Sequence, residues 1–454
     1  MGDQTMKLRG GTGLFAGRLP LVFFTNMPTN SGMVQGSYSA VTRYDADGNV
    51  IPADSDLGVL AGLAGPMITD VNQMINDLGL QNTISPADGA LPRDINGIDP
   101  DFRMPQVWKS SLALEYEAPT SFPLSISVEG IFTKTLNGVM LKNYNLKQPD
   151  DNWERFNGPD DRYIYPATAD LTYTAKNAYI LSNTNEGWGA IGNISVFAEP
   201  VSNLNLMFAY TYTESKEVSG MPGSNAASAY TGLIQIDGPH LPLVQRSQFV
   251  VPSKAIASVS YRIPYAKDHM ATTINLFYSG YSPYGNSFTY TNDMNGDGMA
   301  TDLIYIPKQK GEISFVTPAD ENAFFAFVEQ DKYLNNHKGQ YAEAHAARAP
   351  WVHRFDLRFT QDFSVNISGQ KNTLQLTLDF INFGNLINSK WGVFKTMSSS
   401  NYGQILTYEG KDANNTPSFS MAKDDDGNFL KETYSTYSNY SQVWSLQIGA
   451  RYIF

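Results

Sequence analysis

The last eleven residues, Trp444-Ser-Leu-Gln-Ile-Gly-Ala-Arg-Tyr-Ile-Phe454, constrain this chain more than any other stretch. Side chains of an extended strand alternate between its two faces with a period of two. Trp444, Leu446, Ile448, Ala450, Tyr452 and Phe454 therefore share one face, and Ser445, Gln447, Gly449 and Arg451 share the other. A soluble sheet buries such an apolar face against a core and gains nothing by completing it with an aromatic at the final residue. A membrane β-barrel turns the same face to lipid, and there the pattern is expected to run to the end.

The alternation recurs upstream. Trp108, Ser110, Leu112, Leu114 and Tyr116 oppose Lys109, Ser111, Ala113, Glu115 and Glu117, and a short connection through Pro119 and Pro123 leads to a strand from Leu124 to Thr133. Further strands are expected at Ile194 and Val196, from Leu204 to Thr213, from Ala255 to Ile263 and from Ala271 to Thr291. Two more run from Trp351 to Phe363 and from Leu374 to Phe380. Short turns (Glu199 to Asn203, Pro264 to His269, Asn366 to Asn372) alternate with long polar segments at 29–101, 143–185, 218–246, 292–350 and 385–440. Short periplasmic turns and long extracellular loops are the second mark of an outer-membrane barrel, and they send the terminal strand downward to the periplasm.

The expected class is all-β, an antiparallel transmembrane β-barrel sector with long extracellular loops, occupying 1–454 as one unit. Thr5 to Arg9 and Leu21 to Phe24 read as short strands, with Gly10-Gly-Thr-Gly13 and Gly17 as a turn between them. A phosphate-cradling loop is excluded there, because it must open a helix. Leu57 to Leu80 reads as helix interrupted at Gly65-Pro66, and Asp45-Ala-Asp-Gly48 as a turn. This makes about 11 strands, whereas a single bacterial chain closes a barrel with an even number. Half of a 22-stranded barrel, the size of plugged transporters, is the natural expectation; one strand more or fewer would allow a closed pore.

Composition agrees. Aromatics make up 13% of residues and mean hydropathy is slightly negative, as for an oily outer face around a polar lumen. The longest uncharged apolar run, Leu57 to Ile68, is too short for a spanning helix. A net charge of −12 disfavours nucleic acid and anionic membrane surfaces as partners. The absence of cysteine removes disulfide scaffolds and thiolate metal sites. The first residues, Met1 to Arg9, lack the apolar core of a signal peptide, so an N-terminal part is expected to be missing.

Several stretches resemble known families. The terminal segment is similar to the C-terminal β-signal of bacterial outer-membrane barrels, with Gln447, Gly449, Tyr452 and Phe454 at its polar, glycine and aromatic positions; this implies recognition by the barrel-assembly machinery. Leu8-Arg-Gly-Gly-Thr-Gly-Leu-Phe-Ala-Gly-Arg-Leu-Pro20, Tyr210-Thr-Tyr-Thr-Glu-Ser-Lys216, Asn295-Gly-Asp-Gly298 with Asp302-Leu-Ile-Tyr-Ile-Pro307, Arg348-Ala-Pro-Trp-Val-His-Arg-Phe-Asp356 and Asp379-Phe-Ile-Asn-Phe-Gly-Asn-Leu386 resemble segments of TonB-dependent receptors. The resemblance is to the Oar-like branch common in Bacteroidetes, whose members carry a carboxypeptidase-regulatory-like domain and a plug before the barrel. It implies active transport of an unidentified ligand across the outer membrane, in contact with its lipid and powered by the TonB complex through a missing N-terminal region that holds the plug.

Candidate chemistry is sparse. Asp293, Asn295, Asp297 and Asp302, with Gly296 and Gly298, have the alternating oxygens and sharp-turn glycines of a calcium loop, but Ile304 stands where an EF-hand has its bidentate glutamate. An Asx-rich hairpin tip is the simpler reading, as it is for Asp424-Asp-Asp-Gly-Asn428; no other cofactor is expected. Arg354, Asp356, Arg358 and Asp362 share the lumen face of one strand. Opposite charges two residues apart can simply pair; the functional reading is contact with a plug or substrate. None of the histidines at 240, 269, 337, 345 and 353 forms a zinc-protease pattern, and no nucleophile elbow or P-loop occurs. Glu343, His345 and Arg348 fall in an alanine-rich segment expected to be a short helix, so no enzyme is expected. Trp444, Tyr452, Phe454, Tyr210 and Tyr212 suit membrane-interface girdles. The rival readings are a passive pore and a surface adhesin that uses the barrel as a mount.

Overall fold

The computed structural model describes residues 5–29, 43–44, 50–51, 70–77, 85, 94–173, 177–283, 285–397, 403–437 and 439–454. Ten strands form one continuous antiparallel wall. In chain order they are β1 (Met6–Ala16), β2 (Gln106–Glu117), β3 (Leu124–Asn143), β4 (Trp188–Val201), β5 (Leu204–Glu217), β6 (Ser253–Tyr265), β7 (Met270–Tyr281), β8 (Val352–Ile367), β9 (Gln370–Ile381) and β10 (Ser445–Ile453). Each pairs with its neighbours in this order. Short turns lie at one end of the wall and long connections at the other. Ser368 and Gly369 join β8 to β9 with φ of 51° and 84°, the left-handed pair of a two-residue hairpin turn whose twist matches that of the strands.

The N-terminal expectations change. Gly10-Gly-Thr-Gly13 makes no turn and lies inside β1, in register with β2 from Met6 opposite Tyr116 to Ala16 opposite Gln106. A Cβ on Gly10 would come within 2.9 Å of the Ser111 carbonyl oxygen, so a glycine serves the close approach of two backbones rather than a reversal. Leu21 to Phe24 is not a strand either. Pro20 ends the extended run and Val22–Thr29 is a helix, with Phe23 buried beside Leu19, Leu181 and Tyr230. Among the described residues the wall thus has ten strands, one fewer than the expected count of about 11. Its edges, β1 and β10, do not pair with one another among the described residues.

Two further boundaries move. The segment at 143–185 contains a strand, Asn177–Thr184, that pairs with the outer end of the 20-residue β3. The strand expected to reach Thr291 stops at Tyr281. In the segment 57–80 only 70–77 are described, with a helix at Val71–Asp77; Asp45 to Gly48 lies outside the described residues.

The long connections are not slack. Four of them fold into a cap with its own core, in which Phe288, Tyr290, Leu303, Ile304, Ile306, Phe324, Val328, Leu334 and Leu406 are fully buried. Gln404–Lys411 and Pro417–Met421 form its central hairpin, flanked in parallel by Thr289–Tyr290 and Ser314–Phe315. The helix Pro318–Gln330 packs on this sheet; Thr317 caps its start by accepting from the Asp320 N–H at 3.2 Å, and proline occupies its first position.

Candidate functional site

The register of the wall turns sequence alternation into rows that cross strands. Leu206, Val259, Leu276, Leu357, Phe380 and Leu446 stand side by side from β5 to β10. One residue along, Asn205, Ser260, Asn275, Arg358, Asp379 and Gln447 form the next row, on the opposite face. An all-apolar row backed by an all-polar one is what a sheet between lipid and a watery lumen requires. Large apolar side chains remain uncovered on the first face; Ile448 is 76% exposed.

All four charged residues singled out on β8 lie on the polar face. Arg354 Nε is 3.4 Å from Asp356 Oδ1, the pairing two residues apart that alternation allows. Arg358 reaches across to β9 instead, where its guanidinium forms a fork with Asp379, with Nη2 to Oδ2 at 2.9 Å. Asp362 accepts from Gln375 Nε2 at 2.9 Å and lies 3.3 Å from Arg262 Nη2. The Asp356 carboxylate also accepts the N–H of Asn382, the left-handed residue at φ 55° where β9 gives way to loop. Asn275, Phe277, Asp356, Arg358, Asp379 and Gln447 border a hollow of about 400 Å³ on this face. The terminal residues extend the rows: Gln447 faces Asp379, Gly449 faces Thr377, and Tyr452 Oη donates to Asn372.

The Asp293 turn lies in the cap. Asp293 accepts the N–H groups of Gly296 and Gly298, both at 2.7 Å. Asn295 accepts from Asp297 N, Asp297 from Met299 N, and Asp302 from Met294 N. This is a chain of Asx turns, with Gly296 and Gly298 at φ 84° and 86°. Burial, together with repulsion from Asp302 and Asp293, pushes the Asp297 carboxyl up to about 8. Burial pushes Asp302 up to about 7 against the pull of Arg162. Among the described residues no three acidic or histidine side chains are placed to hold a metal ion, so as arranged these oxygens serve the backbone.

Sequence reasoning missed the centre of the cap. Arg162, with no exposed side-chain surface, binds Asp160 (Nε to Oδ1 2.8 Å), donates to the Ile236 carbonyl at 3.1 Å and lies 3.6 Å from Asp302. Tyr290 and Tyr341 donate their hydroxyls to Asp160 at 2.9 and 3.0 Å. Three connections, each polar in sequence, meet at this one guanidinium. The short apolar runs Phe288 to Tyr290, Leu303 to Ile306 and Phe324 to Val328 were the available signal that a core existed. The segment 342–349 forms no helix; His345 sits at φ 57°, Glu343 pairs with Lys216 at 2.8 Å, and Arg348 donates to the carbonyls of Val250 and Pro283. These residues join cap to wall.

The open wall, its two-faced rows and the loops gathered at one end define a transmembrane β-barrel protein. The chain belongs to the outer membrane beta-barrel domain family, whose model matches residues 2–415, and its place is the outer membrane. Comparison with curated proteins yields no match. Among solved structures it is similar to the outer membrane transporter YddB from Escherichia coli, at 9% identity and a TM-score of 0.34, over 81% of this chain and 35% of that one.

Proposed function

We propose that the chain is the wall and outer cap of a TonB-dependent, Oar-like transporter of the Bacteroidetes type. The polar face that carries the row from Asn205 to Gln447 lines a path through the membrane, and energy comes from the TonB complex through a region N-terminal to this chain. The row itself carries the reading: six adjacent strands place a polar or charged side chain at the same level, which only a hydrated lumen or a polar plug repays. Arg354, Asp356, Arg358 and Asp362 line that path and bias which ligands pass, while Gln447, Gly449, Tyr452 and Phe454 present the strand to the assembly machinery. No catalytic step belongs to this reading.

An antibody against 292–350 provides the test in source-cell outer membranes. The expected result is a band well above the 50.2 kDa of this chain that cross-links to TonB. A band at the chain's own mass, with steady conductance of the refolded protein in planar bilayers, would replace the transporter with a passive pore. The packed core of the cap favours one second reading, a rigid outer surface displayed for adhesion; energy-independent capture of a macromolecule without any transport defect on deletion would select it. Calcium at the Asp293 turn is a separate proposal, and it requires the carboxylates to leave their backbone N–H groups for the ion. Calorimetry with calcium that gives neither heat nor a thermal shift disposes of it.

A further inference from the structure

Beyond the lumen, the outer end of β3 and the connections bearing Tyr173 and His240 enclose a pocket of about 390 Å³, within the range of roughly 300–1,000 Å³ that small-molecule sites occupy. Lys142 and Tyr144, two residues apart, line it at its exposed rim together with Tyr173; the two tyrosines are 52% and 70% exposed. Both rings have a fixed partner. Tyr144 Oη donates to Asp99 Oδ2 at 2.9 Å, and Lys147, anchored on the Asp170 carbonyl at 2.7 Å, lies 5.9 Å from the centre of the Tyr173 ring.

His240 adds an acceptor. Its Nε2 is 2.9 Å from the Lys147 carbonyl oxygen, which can only accept, so Nε2 carries the proton. Burial holds the imidazole below its ordinary value, leaving Nδ1 with a free lone pair at neutral pH. Trp153 stacks on this ring at 6.5 Å and 30°. Among the described residues no Asp or Glu lines the pocket, although the chain has 44 acidic residues against 32 basic ones. The acid that feels the charge of Lys142, Asp99, is already held by Tyr144 and by the Asp101 N–H at 3.0 Å.

We propose that this pocket binds an acidic saccharide. The apolar C–H face of a sugar ring lies on Tyr144 and Tyr173, its hydroxyls meet His240 Nδ1 and the Gln148 amide, and its carboxylate pairs with Lys142. Exposed aromatic faces suit a ring with one apolar side, and a lysine at a rim whose nearby carboxylate, Asp99, is already engaged by Tyr144 and the Asp101 N–H suits an anion. The proposal gives the transporter reading a substrate class and rests on that reading for the passage of the captured ligand across the membrane. Binding itself needs no TonB, so failure to bind refutes this proposal alone, and failure to cross-link TonB refutes the other alone.

The test is calorimetry on the full chain refolded in detergent, with trigalacturonate, maltotriose and triglutamate as probes. Trigalacturonate should bind, and maltotriose should bind about tenfold more weakly or not at all, the worth of one partly exposed charge contact. Lys142→Gln and a rise in salt to about 0.5 M should each weaken trigalacturonate binding several-fold through lost or screened charge, and Tyr173→Ala should weaken it about tenfold through lost stacking. Both substitutions are at the exposed rim, and unchanged melting curves confirm intact protein. No heat with trigalacturonate, equal affinity for maltotriose, or equal affinity for triglutamate overturns the proposal; the last result would assign the pocket to acidic peptides.

Discussion

The wall and the cap are built from one sequence by opposite means. The wall is held by its backbone ladder, and its apolar side chains stay uncovered, with Ile448 at 76% exposure beside Leu446 at 46%. The cap has short, irregular strands but a core in which Leu303, Phe324 and Leu406 show no exposed surface. Lipid completes the first structure, while packing completes the second. Destabilisation should therefore obey different rules in the two regions, and single substitutions can set one against the other.

The largest effect belongs to Arg162. Arg162→Leu leaves Asp160 and Asp302 as buried acids without their cation, a loss of about 3–5 kcal/mol for such broken pairs. The cap connections should become protease-sensitive while the wall keeps its folded, heat-modifiable mobility in electrophoresis. Loss of both together would mean that the two regions are one cooperative unit. The counterpart on the wall is Leu376, which comes directly after Gln375 and so turns to the lipid-facing side of β9. Leu376→Ala should have little effect because lipid fills the gap, whereas Leu376→Arg should cost about 2–4 kcal/mol if the site is near the bilayer midplane. Urea titration in vesicles measures both, and an alanine cost as large as that of a buried leucine would mean that this face is covered by protein.

A smaller effect tests the Asx chain. The Asp297 carboxyl titrates near 8 in the folded cap, well above an ordinary aspartate, so the folded state holds its proton where the unfolded chain has released it. That stabilisation is complete below about pH 4, is lost progressively as pH rises and is gone above about 8. Amide exchange across 293–306 should therefore be faster at pH 8 than at pH 5 after correction for intrinsic rates. Asp297→Asn should remove its share of this dependence, leaving that of Asp302, and slow exchange at pH 8 by about tenfold, the equivalent of one pKa unit. Dependence that persists unchanged in the variant would move the titration to Asp302, whose carboxyl burial also raises.

The two regions also differ in how far their sequences reveal them. Strands β2 to β10 are visible because the alternation of, for instance, Leu374, Leu376 and Leu378 with Gln375, Thr377 and Asp379 repeats the physical alternation between lipid and water. Thus the charged face of β8 could be named residue by residue, although Asp379 as the partner of Arg358 depends on a register that no single strand contains. The cap is invisible to the same method. Its core combines Phe156, Tyr290, Phe324 and Leu406 from connections far apart in sequence, each with too few apolar residues to show a period. Glycines misled for a related reason: Gly10 to Gly13 carry turn chemistry locally, and only the approach of Ser111 to Gly10 shows why the strand needs a glycine there.

The smallest structural effect is expected at Arg354, and it separates stability from function most cleanly. Arg354 and Asp356 keep about a third of their side-chain surface exposed at a separation of 3.4 Å, and such pairs contribute about 0–1 kcal/mol. Arg354→Glu should therefore leave folding and electrophoretic mobility almost unchanged. It still sets two like charges side by side on the polar face, and with Asp356 and Asp362 nearby the local field on any passing anion changes sign. Transport by the intact protein should fall for anionic ligands and recover in the double variant Arg354→Glu, Asp356→Arg, which restores the pair with its order reversed. If single and double variants both transport normally, the row on β8 is packing between strands, and selectivity is set in the cap.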